Sequence, residues 1–404
     1  MESPEFLEFA SRLTNLEKTR NFNVFGAYSL DPFRDLLDRY GWRNRKKERL
    51  RISVVGTNGK GSISHFLAEC FSKLGFSVGL YTSPHLKDPK ERIRLSPELR
   101  PVKDEDLKEL TKLLFSDSSR EELSFLSWFE WFTLAAFVLF EEKDRSVQIY
   151  EAGLGGRLDA TKLAEPDVVI VCAIGEDHKA VLGNTKESIL QEKLGIISDR
   201  TKLVFALEPE PSLQIILEEF CEEKHIDLAT FPSLPQGKSY LRHNQEFVKF
   251  IVPRLMEVLA KKRILPEKKG EEIVQDLSPP PGRLEIVSDS PFIVFDPAHN
   301  PDAVRITLSS LGTAFPGKKF SIIAGFLPDK EGESMAKDLT DYTKAKNTDL
   351  YFLNAKEFLL PKGFESFVVS PDKLSEKLES VNAKGEGILV LGSFRMYSYI
   401  SQKD

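Results

Sequence analysis

The segment Ile52 to Ser83, ISVVGTNGKGSISHFLAECFSKLGFSVGLYTS, constrains the fold of this chain more than any other stretch. It joins a short β-branched strand, a glycine-rich turn with a lysine, and an amphipathic helix. Ile52, Val54 and Val55 make the strand, which stops at Gly56. Beyond Ser62, the apolar residues Ile63, Phe66, Leu67, Cys70, Phe71 and Leu74 recur at three- and four-residue steps, so they share one helical face, and Gly75 is placed to end the helix. Phe76 to Tyr81 reads as the next strand. In such a unit the glycines let the backbone wrap phosphate oxygens, and the helix N-terminus presents unpaired N–H groups with partial positive charge. Lys60 adds a full positive charge and Ser62 a hydroxyl. The turn reads GTNGKGS, with Gly61 between Lys60 and Ser62, so its spelling departs from the common GxxxxGK[ST] while the flanking strand and helix are those the motif requires. A tight structural turn with a surface lysine is the alternative.

At 404 residues the chain exceeds one ordinary core, and two domains are expected. A net charge of −6 with both signs intermixed leaves no basic footprint, which argues against a nucleic-acid partner. Cys70, Cys172 and Cys221 are widely spaced and odd in number, and read as reduced core thiols of a cytoplasmic protein. The opening MESPEFLEFASRL has no basic-then-apolar run, so no secretory signal is expected. The most apolar stretch, Trp128 to Phe140, contains Glu130 and falls short of the roughly 20 residues needed to cross a bilayer, so a buried helix and no membrane partner are expected.

Strand-like runs at Val147–Tyr150, Asp167–Ile174 and Lys202–Leu207 alternate with helical segments and continue the α/β pattern. The cluster Ser278-Pro279-Pro280-Pro281-Gly282 fits neither a helix nor a central strand and marks a linker. After it come strand Phe292–Phe295, a helix near Asp302–Leu311, and strands Phe320–Ala324, Leu350–Leu353 and Gly387–Leu391. The expectation is an α/β protein: a phosphate-loop ATPase-type domain with a mostly parallel sheet over residues 1–282, and a smaller Rossmann-like domain over 283–404. Charged stretches at Lys103–Lys112 and Glu257–Glu272 read as solvated helical faces or loops.

Glu151 follows the strand Val147–Tyr150 and opens the glycine-rich loop EAGLGGRLDATK, which contains Arg157 and Asp159. In an open parallel sheet one edge lines the ligand crevice, so Glu151 and the phosphate loop would emerge together. The strand ending near Ile174 is followed by Gly175-Glu176-Asp177-His178, and a carboxylate and an imidazole beside bound phosphates suit a magnesium ion; exposed polar loop residues are the alternative. Lys193 falls within the apolar arc of a helix expected over Lys186–Ile197, formed by Ile189, Leu190, Leu194, Ile196 and Ile197. An ammonium there must be paired, deprotonated, chemically changed, or snorkelling to water. A neutral amine can take up carbon dioxide as a carbamate. In Asp296-Pro297-Ala298-His299-Asn300-Pro301, Asp296 at a strand end suits ribose hydroxyls and His299 a nucleotide; an Asx-Pro turn with a helix cap at Asn300 is the equal alternative. Arg283 follows the linker, where it could reach phosphate or be merely solvated.

The motifs GTNGKGS, YTSPHL with ERI, SWFEWFTLAAF, EAGLGGRLDATK, DH followed by LGNT and EKLGI, PGRLE and DPAHNP occur in order, and LGSF follows near the end. By these the chain resembles the folylpolyglutamate synthase and dihydrofolate synthase family of the Mur ligase superfamily. The resemblance implies an ATP-dependent amide ligase that activates a pteroate or folate carboxylate as an acyl phosphate for attack by L-glutamate, in a cleft between two domains. It implies that Asn58, Gly59, Lys60 and Gly61, followed by Ser62, hold phosphates, that Ser83, Glu151 and His178 bind magnesium, and that Lys193 is carbamylated. Arg283 and Asp296 match ATP contacts, with His299 beside them, and Phe129, Glu130, Arg157, Leu158, Asp159 and Ala160 fall in segments matching the pterin side. Dihydropteroate or reduced folate and L-glutamate would be the substrates, and the enzyme a cytoplasmic monomer. A peptidoglycan-precursor ligase or a non-catalytic nucleotide-binding relative are the competing readings. There are departures: Ser29-Leu30-Asp31-Pro32-Phe33 stands where the family often has a glycine-leucine pair and an arginine, and Phe247 replaces an ATP-contacting asparagine, leaving Asn244 and Gln245 as substitutes. Lys162 replaces an asparagine and Pro297 a glycine.

Overall fold

β1 (Leu50–Val55) lies at the centre of an eight-stranded sheet and is buried along its whole length. A computed structural model of the chain describes residues 5–19, 28–42, 45, 48–235, 237–270, 274 and 276–401. The remaining strands of this sheet are β2 (Val78–Tyr81), β3 (Ile93–Leu95), β4 (Arg100–Pro101), β5 (Val147–Glu151), β6 (Val168–Val171), β7 (Leu203–Leu207) and β8 (Asp227–Phe231). Their spatial order is β4-β3-β2-β5-β1-β6-β7-β8, parallel except where β3 joins β2 and β4. β1, β5 and β6 are buried at every position because both faces of the sheet are covered, as in a parallel sheet, and the polar residues they carry, Arg51, Ser53, Gln148 and Glu151, are buried with them. One core gathers around the helix Trp128–Glu142, whose Trp131, Phe132 and Phe137 are wholly buried. Another forms where Val169, Val171 and Val204 meet Leu190, Leu194 and Leu217.

The order of strands decides where a ligand can sit. From β1 the chain departs toward β2 on one side; from the adjacent β5 it departs toward β6 on the other. Connections that diverge from neighbouring strands leave a crevice at their carboxyl ends, because neither crossover covers it. Gly56 and Glu151 stand at those two ends.

The chain divides into two compact units, residues 1–233 with 247–278, and residues 234–246 with 279–404. The division at 278/279 falls within the proline cluster, and the segment 234–246, which holds the start of the helix Tyr240–Lys261, groups with the second unit. The second unit carries β9 (Glu285–Asp289), β10 (Phe292–Asp296), β11 (Phe320–Ala324), β12 (Leu350–Leu353), β13 (Val368–Val369) and β14 (Gly387–Leu391) in the order β13-β12-β11-β14-β10-β9. Only β9 runs antiparallel. This is the smaller α/β domain expected from the sequence.

Local differences have local causes. The helix carrying Lys193 ends at Leu194, three residues before the expected Ile197, because Gly195 takes the cap and the chain tightens, with Ile196 N donating to Lys193 O at 3.1 Å. Strand Asp167–Ile174 contracts to Val168–Val171, since Cys172 onward turns to brace the phosphate loop. The Lys103–Lys112 stretch is helical, over Asp104–Asp117; within Glu257–Glu272, residues 271 and 272 lie outside the described residues.

Candidate active site

The turn after β1 is bound to the segment that leaves β6. Thr57 and Asn58 donate their backbone N–H groups to Ala173 O at 2.8 and 3.2 Å, and Thr57 Oγ1 donates to Gly175 O at 2.9 Å. Gly56 has φ 147°, and a Cβ on it would lie 2.6 Å from Cys172 Cβ, so only glycine lets the loop pass this close. The helix Lys60–Lys73 then starts, with Gly59 at its cap. Its first N–H groups have no carbonyl one turn earlier to bond and face out of the turn. Ser62 Oγ is buried and has no hydrogen-bond partner among the described residues. An open amide cradle with an orphaned hydroxyl at its base fits a phosphate group with its counter-ion.

Two lysines meet on one oxygen. Lys60 Nζ donates to Gly56 O at 3.0 Å, and Lys193 Nζ donates to the same carbonyl at 2.9 Å. Lys193 is 4% exposed, so the snorkelling alternative is ruled out. Burial, and then repulsion from Lys60, push its pKa from 10.5 down to about 7, although the charge of Asp177 pulls the other way. Buried Cys172 feels both charges, its thiol pushed up to about 12 by burial and by Glu151, against the pull of Lys60 and Lys193. Neither Asp177 nor Cys172 was singled out from sequence for this role. Asp177 was adjacent to the quoted histidine, and Cys172 carried no signal beyond its apolar run.

The EAGLGGRLDATK loop fixes where Lys193 sits. A Cβ on Gly156 would overlap the Lys193 carbonyl, Arg157 N donates to Glu192 O at 2.9 Å, and Arg157 Nε pairs with Glu192 at 2.9 Å. Arg157 is otherwise exposed and Leu158 half-buried. The loop therefore clasps the last turn of the lysine's helix.

Glu151, 3% exposed at the end of β5, accepts from Ser83 N at 3.1 Å, which joins two of the three expected metal ligands. His178 follows β6 with φ 52°; its N–H donates to Asp177 Oδ1 at 2.9 Å. Among the described residues no group of three or more His, Cys, Asp or Glu could hold a metal by itself. Magnesium takes one or two carboxylates and completes its shell with water and phosphate oxygens, a role that Glu151 beside bound phosphate could fill.

On the pterin-side segments, Ser127 caps the helix Trp128–Glu142, and Glu130 Oε2 returns the bond to Ser127 N at 2.7 Å. Glu130 Oε1 accepts from Tyr28 Oη at 2.5 Å, and burial followed by the Glu130 charge raises the Tyr28 pKa far above its usual value. Phe129 is half-buried, tilted against Tyr81, and lies against Gly153. Asp159 is 5% exposed and accepts from Leu154 N at 2.9 Å and from Thr161 N at 2.9 Å; burial raises its pKa. Ala160 is buried beside it. Glu130 and Asp159 thus organise their own turns before meeting any ligand. Sequence inspection missed a neighbouring network: buried Arg92 pairs bidentately with Glu17 at 3.0 and 2.6 Å, donates to His85 Nδ1 at 3.1 Å, and stacks on Trp128 at 4.4 Å. The quoted YTSPHL, ERI and SWFEWF motifs were its signal.

In the second unit, Asp296 is buried and accepts from Tyr240 Oη, from Leu284 N at 3.1 Å, from Ala298 N at 3.0 Å and from Thr307 Oγ1 at 3.2 Å. Its four donors fasten the linker exit to β10. His299 Nδ1 lies 2.8 Å from Pro297 O, and Asn300 caps the helix Pro301–Ala314 by accepting from Ala303 N at 2.9 Å. Arg283 lies over the ring of Phe394 at 5.1 Å. Asn244 is buried in the helix Tyr240–Lys261.

A phosphate loop at a switch point, with a buried carboxylate and a desolvated lysine beside it, defines a nucleotide-dependent enzyme of α/β class. A family model described as Mur ligase, glutamate ligase domain, matches residues 282–394. The dihydrofolate synthase/folylpolyglutamate synthase of Buchnera aphidicola subsp. Schizaphis graminum is 30% identical over 87% of this chain and 88% of its own length. That of Bacillus subtilis is 28% identical over 93% and 94%. The structure of Escherichia coli FolC in complex with DHPP and ADP superposes with a TM-score of 0.68 at 26% identity, covering 90% of each chain. The chain belongs to the dihydrofolate synthase/folylpolyglutamate synthase family of ligases. These matches do not favour the cell-wall or non-catalytic alternatives.

Proposed function

We propose that the protein uses ATP to join L-glutamate to dihydropteroate, to reduced folates and their glutamate tails, or to both. The observation that supports this best is the shared carbonyl: Lys60 and Lys193 converge on Gly56 O at the mouth of the phosphate loop. Two amines on one oxygen repel each other when both are charged, and an anion arriving beside them relieves that repulsion.

A carboxylate resists amide formation because its oxygen leaves poorly, so its phosphorylation by ATP must come first. The helix N-terminus at Lys60 and the turn Asn58 to Ser62 bind the triphosphate, and Lys60 swings from Gly56 O to offset charge growing on the transferred group. Ser83, Glu151 and His178 would hold magnesium, which when bound neutralises the phosphate oxygens. Lys193, with a pKa near 7, is about half neutral at neutral pH and open to carbon dioxide: its nitrogen lone pair attacks carbon, a proton leaves, and a carbamate anion results. That anion would replace the repulsion between the lysines with attraction. Phe129, Glu130, Arg157, Leu158, Asp159 and Ala160 are proposed for the pterin side, and Asn244, Arg283, Asp296 and His299 for the nucleotide. Among the described residues no helix is long and apolar enough to cross a membrane, and the three cysteines are free and buried; we place the enzyme in the cytoplasm as a monomer.

The test is incubation with ATP, magnesium and L-glutamate, with dihydropteroate or tetrahydrofolate added separately, following phosphate release and product mass. Glutamate-dependent gain of one glutamyl unit on either acceptor is expected. Turnover with neither acceptor, or only with a nucleotide-linked sugar, ends this reading.

A further inference from the structure

We propose that Phe394 is a positioning residue for nucleotide binding, its ring setting the Arg283 guanidinium and the His299 imidazole before the nucleotide arrives. This rests on the reading above in which Arg283 contacts ATP. Both side chains contact one aromatic ring: the guanidinium carbon lies over it, 5.1 Å from the Phe394 centroid, and the His299 ring is tilted against it at 6.3 Å and 52°. Arg283 makes no ion pair with a carboxylate among the described residues; its Nη1 reaches only Gly282 O, at 3.4 Å. An arginine held by a ring face and one backbone oxygen keeps its remaining donors for an incoming anion.

The ring itself is fixed. Phe394 opens a short helical turn, Phe394–Met396, whose start is capped by Ser393 Oγ accepting from Arg395 N at 3.1 Å. Met396 is fully buried, and the next residue, Tyr397, packs edge-on against Phe295 at 4.9 Å. Tyr397 Oη donates to Glu285 Oε1 at 2.8 Å, while Glu285 Oε2 accepts from Gly282 N at 2.6 Å. The same chain segment thus holds the linker backbone on one side of Arg283 and its side chain from below. Leu284 N, bound to Asp296, secures the other side. Phe394 itself is half-buried. A long arginine otherwise loses rotamer freedom on binding an anion, and pre-set geometry removes part of that loss.

The experiment is calorimetric titration of the full chain with magnesium-ADP, comparing wild type, Phe394→Leu, Phe394→Tyr, Arg283→Ala and the Arg283→Ala/Phe394→Leu double variant. Phe394→Leu should weaken binding about three- to thirtyfold, the range of a stacked cation lost from an aromatic face. Phe394→Tyr should stay within about twofold, because it keeps the ring. In the Arg283→Ala background the leucine should add less than about twofold. Wild-type affinity in Phe394→Leu, full additivity in the double variant, or unchanged affinity in Arg283→Ala would each overturn the proposal. If Phe394→Leu fails to fold, Phe394→Met is read in its place, and loss of fold in both would make Phe394 a core residue and overturn it too. Absence of magnesium-ADP binding by wild type would instead sink the nucleotide reading on which the proposal stands.

Discussion

An ammonium at 4% exposure, beside a second lysine, is carried at a cost to the folded state. Its sign can be worked out. Lys193 has a folded pKa near 7 against an ordinary 10.5, so between those values the unfolded chain holds a proton that the folded chain has shed. Stability then rises with pH from about 7 to about 10, and the full penalty is present below 7. Lys193→Met should remove the penalty, because Lys60 still satisfies Gly56 O. In carbon-dioxide-free buffer the variant should melt higher than wild type at pH 6, by the equivalent of a few kcal/mol, with the gap closing toward pH 10. A gap that stays constant with pH would show that Lys193 does not titrate in this range. The same position carries a functional prediction: Lys193→Ala should abolish ligation, with partial rescue by small carboxylates, and full activity in that variant would remove the carbamate. Lys193 was legible from its place on an apolar helical face, whereas its partner on the Gly56 carbonyl was not. Helical periodicity reports which way a side chain points and carries nothing about a loop remote in sequence.

At the scale of elements, the clasp between the EAGLGGRLDATK loop and the helix Lys186–Leu194 depends on absent side chains. A Cβ on Gly156 would overlap backbone at Lys193, which has no flexible end to yield, and one on Gly195 would overlap Arg157. Gly156→Ala should therefore cost about 2 kcal/mol or more in urea unfolding and lower ligation further than its stability loss explains, because Lys193 is displaced. Ser127→Ala is the milder case: it removes one partner of the capping box, worth about 1 kcal/mol, and leaves the phosphate loop alone. Equal effects of the two on magnesium-ADP affinity would refute the clasp. The loop's glycines were visible in the sequence, but which neighbour forbids a side chain at each is a tertiary fact. The same division holds for strands. β1, β5, β6, β10, β11, β12 and β14 are short runs rich in apolar and β-branched residues, almost wholly buried, and were readable from that composition. β3, β4 and β13 span two or three residues, and β8, Asp227–Phe231, is an edge strand with no buried position, so neither length nor periodicity marked them. β9 pairs antiparallel at an edge with a shifted register, and its alternation is blurred accordingly.

At the scale of the molecule, the described residues form two sheets, each with its own apolar core, and the phosphate loop belongs to the first. Separate cores imply that heat unfolding is not a single two-state event, because each unit can lose its packing as a cooperative body. A ligand stabilises what it binds: at a hundred times its dissociation constant it adds about 2.7 kcal/mol, equivalent to a rise of about 5 to 10 °C for a unit of this size. Magnesium-ADP should therefore raise the calorimetric transition carried by the phosphate-loop unit. Lys60→Ala should keep a nucleotide-free profile at least as stable as wild type, since Lys193 still occupies the Gly56 carbonyl and loses a repelling neighbour, and should lose most of the shift. The comparison isolates the charge from the fold. A loop that merely turned the chain would leave both proteins unmoved by nucleotide. A site built mainly from amides would move both alike, because the N–H groups of the turn survive the substitution. Only if the lysine's charge supplies much of the grip does wild type shift while the variant does not, and that is the outcome the crowded carbonyl at Gly56 leads us to expect.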